Sequence, residues 1–383
     1  MKIVCVGGGP AGLYLALLLK RRDPGHDITL LERNPAAVTH GWGVVFWDDL
    51  LESLRLYTPD TAAEITAAAY QWHGVEVSVD GTPVVEPQAT GYSLSRHTLI
   101  EILSRAALQE GVQIEYGREF DPSQPPPDVD LVVACDGAGS RIRTTHGDAL
   151  GSETTLGSSR YVWLGTTKEF DSFTFAFVQT ESGWVWCHAY GYSGDRSTFI
   201  VECTDETWRG LGFDHLDANS CLAVLKDVFA GQLDGHDLMV QARQGNAMPW
   251  LTYPTVSNQK WHTGNVVLMG DAAHTTHFSI GSGTKLALQD AIGLAEALDE
   301  SPADVETALG EYEMRRIAAL AAPQRDSVNS ARWFENVPRY LQFQPQQVSD
   351  LMDARRSRLL AYVGPAAYLR LQGLVKNVRA LTG

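Results

Sequence analysis

Apolar positions fall along this chain in three patterns. Short unbroken runs predict strands covered on both faces: residues 2–6, 27–32, Leu131-Val132-Val133-Ala134 and 265–269. Between the first two runs, residues 10–21 carry Leu13, Leu15, Leu17, Leu18 and Leu19 at helical spacing. The N-terminus therefore predicts strand, turn, helix and strand, the opening of a parallel α/β sheet. Residues 97–110, with Leu99, Ile100, Leu103 and Ala107 on one face, predict another helix, and residues 284–298 a further one. The second pattern is alternation. Over roughly 160–205 it sets Phe173, Phe175 and Phe177, then Trp184, Trp186, His188 and Tyr190, on single faces of antiparallel strands, against a core or a pocket. From about 302 onward the third pattern, helical periodicity, runs to the end, while Pro122 to Pro127 predicts a loop.

These patterns interleave. Dinucleotide-type α/β pieces at 1–70, 93–158 and 262–325 alternate with sheet pieces at 71–92 and 159–261, and a helical segment follows at 326–383. A length of 383 residues suits two or three packed units, and 44% hydrophobic with 20% charged residues is ordinary globular composition. No apolar run is long enough to span a membrane, and no targeting segment is read, so a cytoplasmic setting is expected. The five cysteines (5, 135, 187, 203, 221) show no CxxC pair and no metal spacing, so they read as buried apolar residues in a reducing compartment, with no metal expected.

A formal net charge of −16 argues against nucleic acid as a partner. The charge is uneven, however. Residues 331–383 carry Arg332, Arg339, Arg355, Arg356, Arg358, Arg370, Lys376 and Arg379 against three acids, a net +5 in a chain whose remainder is −21. This is either a solvated helical face or a site for an anionic ligand.

Gly7-Gly8-Gly9-Pro10-Ala11-Gly12 fits G-x-G-x-x-G between a strand and a helix. The first glycine suits a tight turn, the second close approach of a pyrophosphate, and the third close helix packing. The helix N-terminus adds free N–H groups. Glu32, at the end of the next strand, is placed to bind a ribose hydroxyl. Two further strand-end segments follow, Cys135-Asp136-Gly137-Ala138-Gly139-Ser140-Arg141-Ile142-Arg143 and Gly270-Asp271-Ala272-Ala273-His274. After the latter, Gly281-Ser282-Gly283-Thr284 opens a helix. Asp136 either binds a ribose or braces a loop. A second anion-compatible helix N-terminus beside a carboxylate suits FAD better than NAD alone.

With Arg33 beside Glu32, these three segments resemble the fingerprints of the single-component flavoprotein aromatic hydroxylases over most of the first 300 residues. His40 to Phe46, Tyr161 to Thr167, Ser197 to Cys203, His277 to Thr284 and Ala331 to Asn336 are similar to one subgroup. It holds salicyloyl-CoA 5-hydroxylase, the hydroxylase half of 2-aminobenzoyl-CoA monooxygenase/reductase, and the violacein-pathway tryptophan-derivative hydroxylase. The resemblance implies an α/β fold: a Rossmann-like FAD-binding domain interleaved with an antiparallel-sheet substrate domain, plus C-terminal helices. It implies non-covalent FAD, NADH or NADPH and O2 as co-substrates, and oxygen transfer through a flavin hydroperoxide to an electron-rich ring. The substrate it implies is an aromatic acyl-CoA such as salicyloyl-CoA, or a free or carrier-bound aromatic or indole. By position, Arg96 matches the family's flavin-contacting arginine, and the resemblance places Val45, in the Gly41–Val45 stretch, near the isoalloxazine.

Two departures are visible. Phe278 stands where many relatives have proline, and a chain ending at 383 has no second reductase domain, so no dearomatising reduction is expected. His277 and His188 are the candidate bases for a ring O–H. Trp186, His188, Tyr190 and Phe278 are candidate pocket residues. Arg355, Arg356 and Arg358, with Arg370 and Arg379, are candidate partners for substrate phosphates. A monomer or a homodimer is expected. The Trp184-Val185-Trp186 stretch does not complete a halogenase signature, and a dehydrogenase without oxygen transfer is the other enzymatic reading.

Overall fold

The computed structural model describes residues 1–36, 38–124, 126–241 and 246–382, residues 376–382 by backbone alone. The strands are β1 (Lys2–Val6), β2 (Asp27–Glu32), β3 (Gly43–Phe46), β4 (Tyr70–Val79), β5 (Thr82–Ser95), β6 (Gln113–Tyr116), β7 (Leu131–Ala134), β8 (Glu153–Thr166), β9 (Phe173–Thr180), β10 (Gly183–Ser193), β11 (Arg196–Thr204), β12 (Leu238–Met239), β13 (Leu251–Ser257), β14 (His262–Thr263) and β15 (Val266–Leu268).

The chain divides into two compact units, each assembled from three segments. The first comprises Met1–Gln71, Gly91–Leu156 and Pro254–Ala321. Its sheet runs β14-β15-β7-β1-β2-β6, and β15, β7, β1, β2 and β6 are parallel. In register, Ile3 sits between Ile28 and Leu131, and Cys5 between Leu30 and Val133. These apolar runs lack alternation because helices cover both faces of a parallel sheet. Helix Pro10–Arg22 starts with proline in its first turn and ends on Lys20, Arg21 and Arg22, which complement the helix dipole. Its first ten residues are all buried, between the sheet and helices Arg96–Gln109 and Gly283–Glu300. Periodicity did not predict helices Asp48–Tyr57 and Pro59–Ala68, or β6.

The second unit comprises Trp72–Thr90, Gly157–Tyr253 and Ala322–Gly383. Its sheet runs β12-β8-β11-β10-β9-β4-β5. The expected antiparallel order holds except at β4 and β9, which pair in parallel from Val75↔Phe173 to Val79↔Phe177. A long excursion separates those two strands, as a parallel pair requires. Alternation also predicted one covered face on β10, yet both are covered: Val185, Cys187 and Ala189 are as buried as Trp186 and His188. Phe229, just after the unforeseen helix Ala218–Val228, meets Phe199 edge-on at 5.2 Å on the Ala189 side. On the other side lie Trp333 and Phe334, at the end of helix Val305–Glu335. Phe334 stacks on Phe175, Phe177 and Trp186 at 6.2, 6.5 and 6.4 Å, forming an aromatic layer with His188 at 4.7 Å.

Candidate functional site

The glycine loop after β1 is built as its motif requires. Gly7 has φ +114°, and a Cβ there would lie 2.3 Å from the Cys135 carbonyl oxygen. A Cβ on Gly12 would lie 2.4 Å from the Gly7 oxygen, so Gly12 permits the close helix packing. Gly9 is different: a Cβ there would meet no protein atom within 4 Å. Packing gives no reason for glycine at position 9, and the space it leaves opens on a cavity. Pro10, Ala11 and Gly12 form the first turn of the helix, which Gly9 caps without a side-chain bond.

That cavity, about 810 Å³, lies within the first unit and is lined by Gly7, Gly9, Glu32, Arg33, Arg96 and Asp136, among others. Glu32 is held at the end of β2, where its Oε2 accepts from Gly8 N–H and its Oε1 from Asn34 N–H, both at 2.7 Å. Arg33 is exposed. Asp136 Oδ2 accepts from Arg141 N–H at 2.9 Å, while its Oδ1 is buried with no hydrogen-bond partner. An open glycine position, an uncapped helix start and an unsatisfied carboxylate oxygen fit the phosphate and ribose groups of FAD.

A second turn follows β15. Gly270 has φ +61° and packs against Ala11 and Ala287. Asp271 is accessible to solvent yet crowded by protein. Desolvation pushes its carboxyl above the ordinary range, against the opposing pull of His274 and Arg96. Burial likewise lowers the Arg96 guanidinium, which Asp271 partly compensates. Gly281, with φ +63°, packs so tightly on Trp47 and Val45 that a Cβ would lie 2.6 and 2.9 Å from them. Gly283 and Thr284 begin the next helix, whose N-cap, Ser282, makes no side-chain capping bond. Arg143, the last residue of the Cys135 to Arg143 segment, was given no role of its own, yet it ties two of these turns together. It is buried, and it donates to the Ala272 oxygen at 2.9 Å and the Ala138 oxygen at 2.5 Å.

Both candidate histidines meet protein partners. His277 caps the short 3-10 turn Phe278–Ile280: its Nδ1 accepts from Ser279 N–H at 3.4 Å and lies 2.7 Å from Ser279 Oγ. Nδ1 of His277 is thus engaged within its own turn. Its ring stacks on the half-buried Phe278 at 4.2 Å. His188 and Trp186 lie inside the aromatic layer, 1% and 0% exposed. Trp186 Nε1–H donates to Glu202 Oε2 at 2.9 Å, and His188 Nε2 sits 3.3 Å from the same oxygen. Burial, then Arg355, pushes His188 down to about 3, so its contact with Glu202 is that of a neutral ring. Glu202 was legible only as a charge amid the apolar run of β11. Tyr190 is buried and stacks on Phe173 at 5.1 Å.

The cationic candidates separate. The Arg355 guanidinium lies over the Phe175 ring at 5.6 Å and donates to the Met352 oxygen, and burial lowers it to about 10. Arg356, Arg358 and Arg370 are exposed, and the side chains of Lys376 and Arg379 fall outside the described residues. Among the described residues no three His, Cys, Asp or Glu side chains form a metal cluster, and no helix is long and apolar enough to cross a membrane.

Comparison with known proteins agrees with this geometry. Residues 128–322 match the FAD binding domain family, and residues 5–38 an NAD(P)-binding Rossmann-like domain. The chain is 38% identical to salicyloyl-CoA 5-hydroxylase of Streptomyces sp, over 89% of this chain and 66% of that protein, so it spans just under two thirds of that relative. It is 37% identical to 3-hydroxy-4-methyl-anthranilyl-[aryl-carrier protein] 5-monooxygenase of Streptosporangium sibiricum, over 88% and 90% of the two chains. The structure resembles 2-methyl-3-hydroxypyridine-5-carboxylic acid oxygenase with a TM-score of 0.72 and 19% identity, covering 94% and 93% of the chains, which supports the fold.

Proposed function

The chain belongs to the family of FAD-dependent aromatic monooxygenases, and from that premise we propose that its substrate is a benzoyl thioester bearing a ring OH or NH2 ortho to the acyl group. The observation that carries this is shared by the two relatives. Both are named for an aromatic acyl group held as a thioester, and both for attack at position 5. In a 2-hydroxy- or 2-aminobenzoyl ring that position is para to the donor substituent, where the donor enriches the ring in electrons. Hydroxylation at the same carbon is the expected outcome here.

FAD, with NAD(P)H as reductant, supplies the redox chemistry and the activated oxygen when bound. The protein's own part is to bind, orient and keep dry. The N–H groups after Gly9 take the pyrophosphate, Glu32 takes a ribose, and Asp136, Asp271 and Arg96 border the rest of the dinucleotide. His277 holds the 278–283 turn in shape. The aromatic layer of Phe175, Trp186 and Phe334 is itself closed to water. Arg355 is the candidate partner for the substrate's acyl oxygen or a thioester phosphate, with Arg356 and Arg358 farther out on the surface.

The test is NADH and NADPH consumption by the yellow protein with salicyloyl-CoA, 2-aminobenzoyl-CoA, free salicylate and tryptophan, each with mass detection of one added oxygen. Stimulation and hydroxylated product with a CoA thioester, but not with free salicylate, is expected. Stimulation by free salicylate or tryptophan alone would overturn the thioester assignment. NAD(P)H oxidation without added oxygen would favour a dehydrogenase. The same reading keeps the protein a monomer or homodimer, which sedimentation velocity resolves.

A further inference from the structure

Asp290 lies in the middle of helix Gly283–Glu300, fully buried, and no fingerprint motif includes it. Its carboxylate is nevertheless engaged from three elements. Oδ2 accepts from Gly270 N–H at 2.9 Å and lies 2.8 Å from His274 Nε2, while Oδ1 accepts from Arg316 Nε at 2.7 Å. Gly293 gives Arg316 its path, since a Cβ there would lie 2.9 Å from Arg316 Cδ. His274 is fixed from behind by Trp261, stacked at 5.1 Å. Tyr312, one turn before Arg316, donates to the Leu268 oxygen at the end of β15. A buried carboxylate is costly unless its oxygens are paired and hydrogen-bonded. Here the partners converge on the positive-φ turn that presents Asp271.

We propose that Asp290 is a positioning residue for FAD: by clamping the Gly270 turn and His274, with Arg316 as its counter-ion, it fixes the direction of the Asp271 carboxyl. The inference rests on the FAD assignment. A helix residue remote from the fingerprint thus sets how well the fingerprint binds, as outer partners orient ligating carboxylates elsewhere.

Asp290→Asn tests this. Asn has nearly the same shape but offers one acceptor oxygen, so its NH2 must face the Arg316 N–H or the Gly270 N–H, donor against donor. Stripped protein is titrated with FAD by fluorescence quenching, and the apoprotein's melting temperature is recorded in parallel. Asp290→Asn and Arg316→Met should raise the FAD dissociation constant on the order of tenfold or more. His274→Gln, which keeps a donor, should bind better than His274→Leu. Arg22→Met, which removes the surface pair between the end of helix Pro10–Arg22 and Asp299 near the end of Asp290's helix, should bind as wild type. Wild-type affinity in both Asp290→Asn and Arg316→Met, with only the melting temperature lowered, would overturn the proposal and leave Asp290 a purely structural residue. Wild-type protein that takes up no FAD would overturn the cofactor assignment and this inference with it.

Discussion

Replacing Gly9 by alanine separates packing from cofactor binding in the glycine loop. Gly9 has φ −76° and ψ 174°, extended backbone that any residue adopts, and its added methyl would meet no protein atom within 4 Å. Two small effects on folding oppose each other. Fewer unfolded conformations favour alanine by about 0.4–1 kcal/mol, and alanine's poorer capping costs up to about 1 kcal/mol. The apoprotein should therefore melt within about 3 °C of wild type. The methyl does enter the space through which the pyrophosphate reaches the helix N–H groups. Losing the equivalent of one charge-assisted hydrogen bond, about 1.5–3 kcal/mol, weakens FAD roughly 10- to 100-fold. Gly7→Ala carries the reverse signature. Its φ of +114° and the 2.3 Å approach to the Cys135 oxygen add about 1–3 kcal/mol of backbone strain and a similar overpacking cost, so the apoprotein itself melts lower. The assay pairs thermal denaturation of stripped protein with FAD titration by fluorescence quenching. Wild-type FAD affinity in Gly9→Ala would refute the reasoning, because the open space at Gly9 would then not be where phosphate sits.

Arg143→Met deprives the buried Ala272 carbonyl and the half-buried Ala138 carbonyl of their donor, the first at about 1–3 kcal/mol. It should lower both the apoprotein's denaturant midpoint and its FAD affinity, and an unchanged midpoint would show that the two turns hold without it. Phe334→Ala empties the centre of the aromatic layer, with an expected loss of about 3–5 kcal/mol in urea unfolding. A loss below about 1 kcal/mol would mean that the layer collapses to fill the space. Asp353 is pushed up to about 7, by burial first and then by the hydrogen bond and charge of Glu86. The folded state therefore holds a proton that the unfolded chain releases near its ordinary 3.8, and stability declines as pH rises from about 4 to 7. Asp353→Asn should gain melting temperature over wild type at pH 8 and little at pH 4, and an equal difference at both would refute the shift.

Much of the first unit was legible because a parallel sheet writes itself as short apolar runs, and because Gly7, Gly12, Gly270 and Gly281 answer local steric demands. Gly9 was legible for another reason, the space it leaves for a ligand. Single-position chemistry was harder. Glu202 and Asp290 are charged residues inside largely apolar segments, and they and Arg143 reach partners 16, 26 and 129 positions away, beyond any local pattern. For the two histidines, alternation and loop position say which side of an element a ring is on, not what lies against it. Phe334, distant in sequence, covers His188, and Ser279, two residues on, claims Nδ1 of His277. Helix Ala218–Val228 was missed because β10, which it helps to enclose, was read as having one free face.

The first unit's assembly from three separated stretches also sets a timetable for the newborn chain. The glycine loop leaves the ribosome first, but the Gly270–Asp271 turn and β15, which pairs with β7, follow roughly 260 residues later. At about 5–20 residues per second, that is a wait of ~13–50 s. Until then the apolar strands and the leucine-rich first helix lack their covering, and the cofactor has only part of its seat. Early exposure of such surface invites chaperone capture or aggregation, so riboflavin supply during expression would matter most at the end of synthesis, when the seat closes.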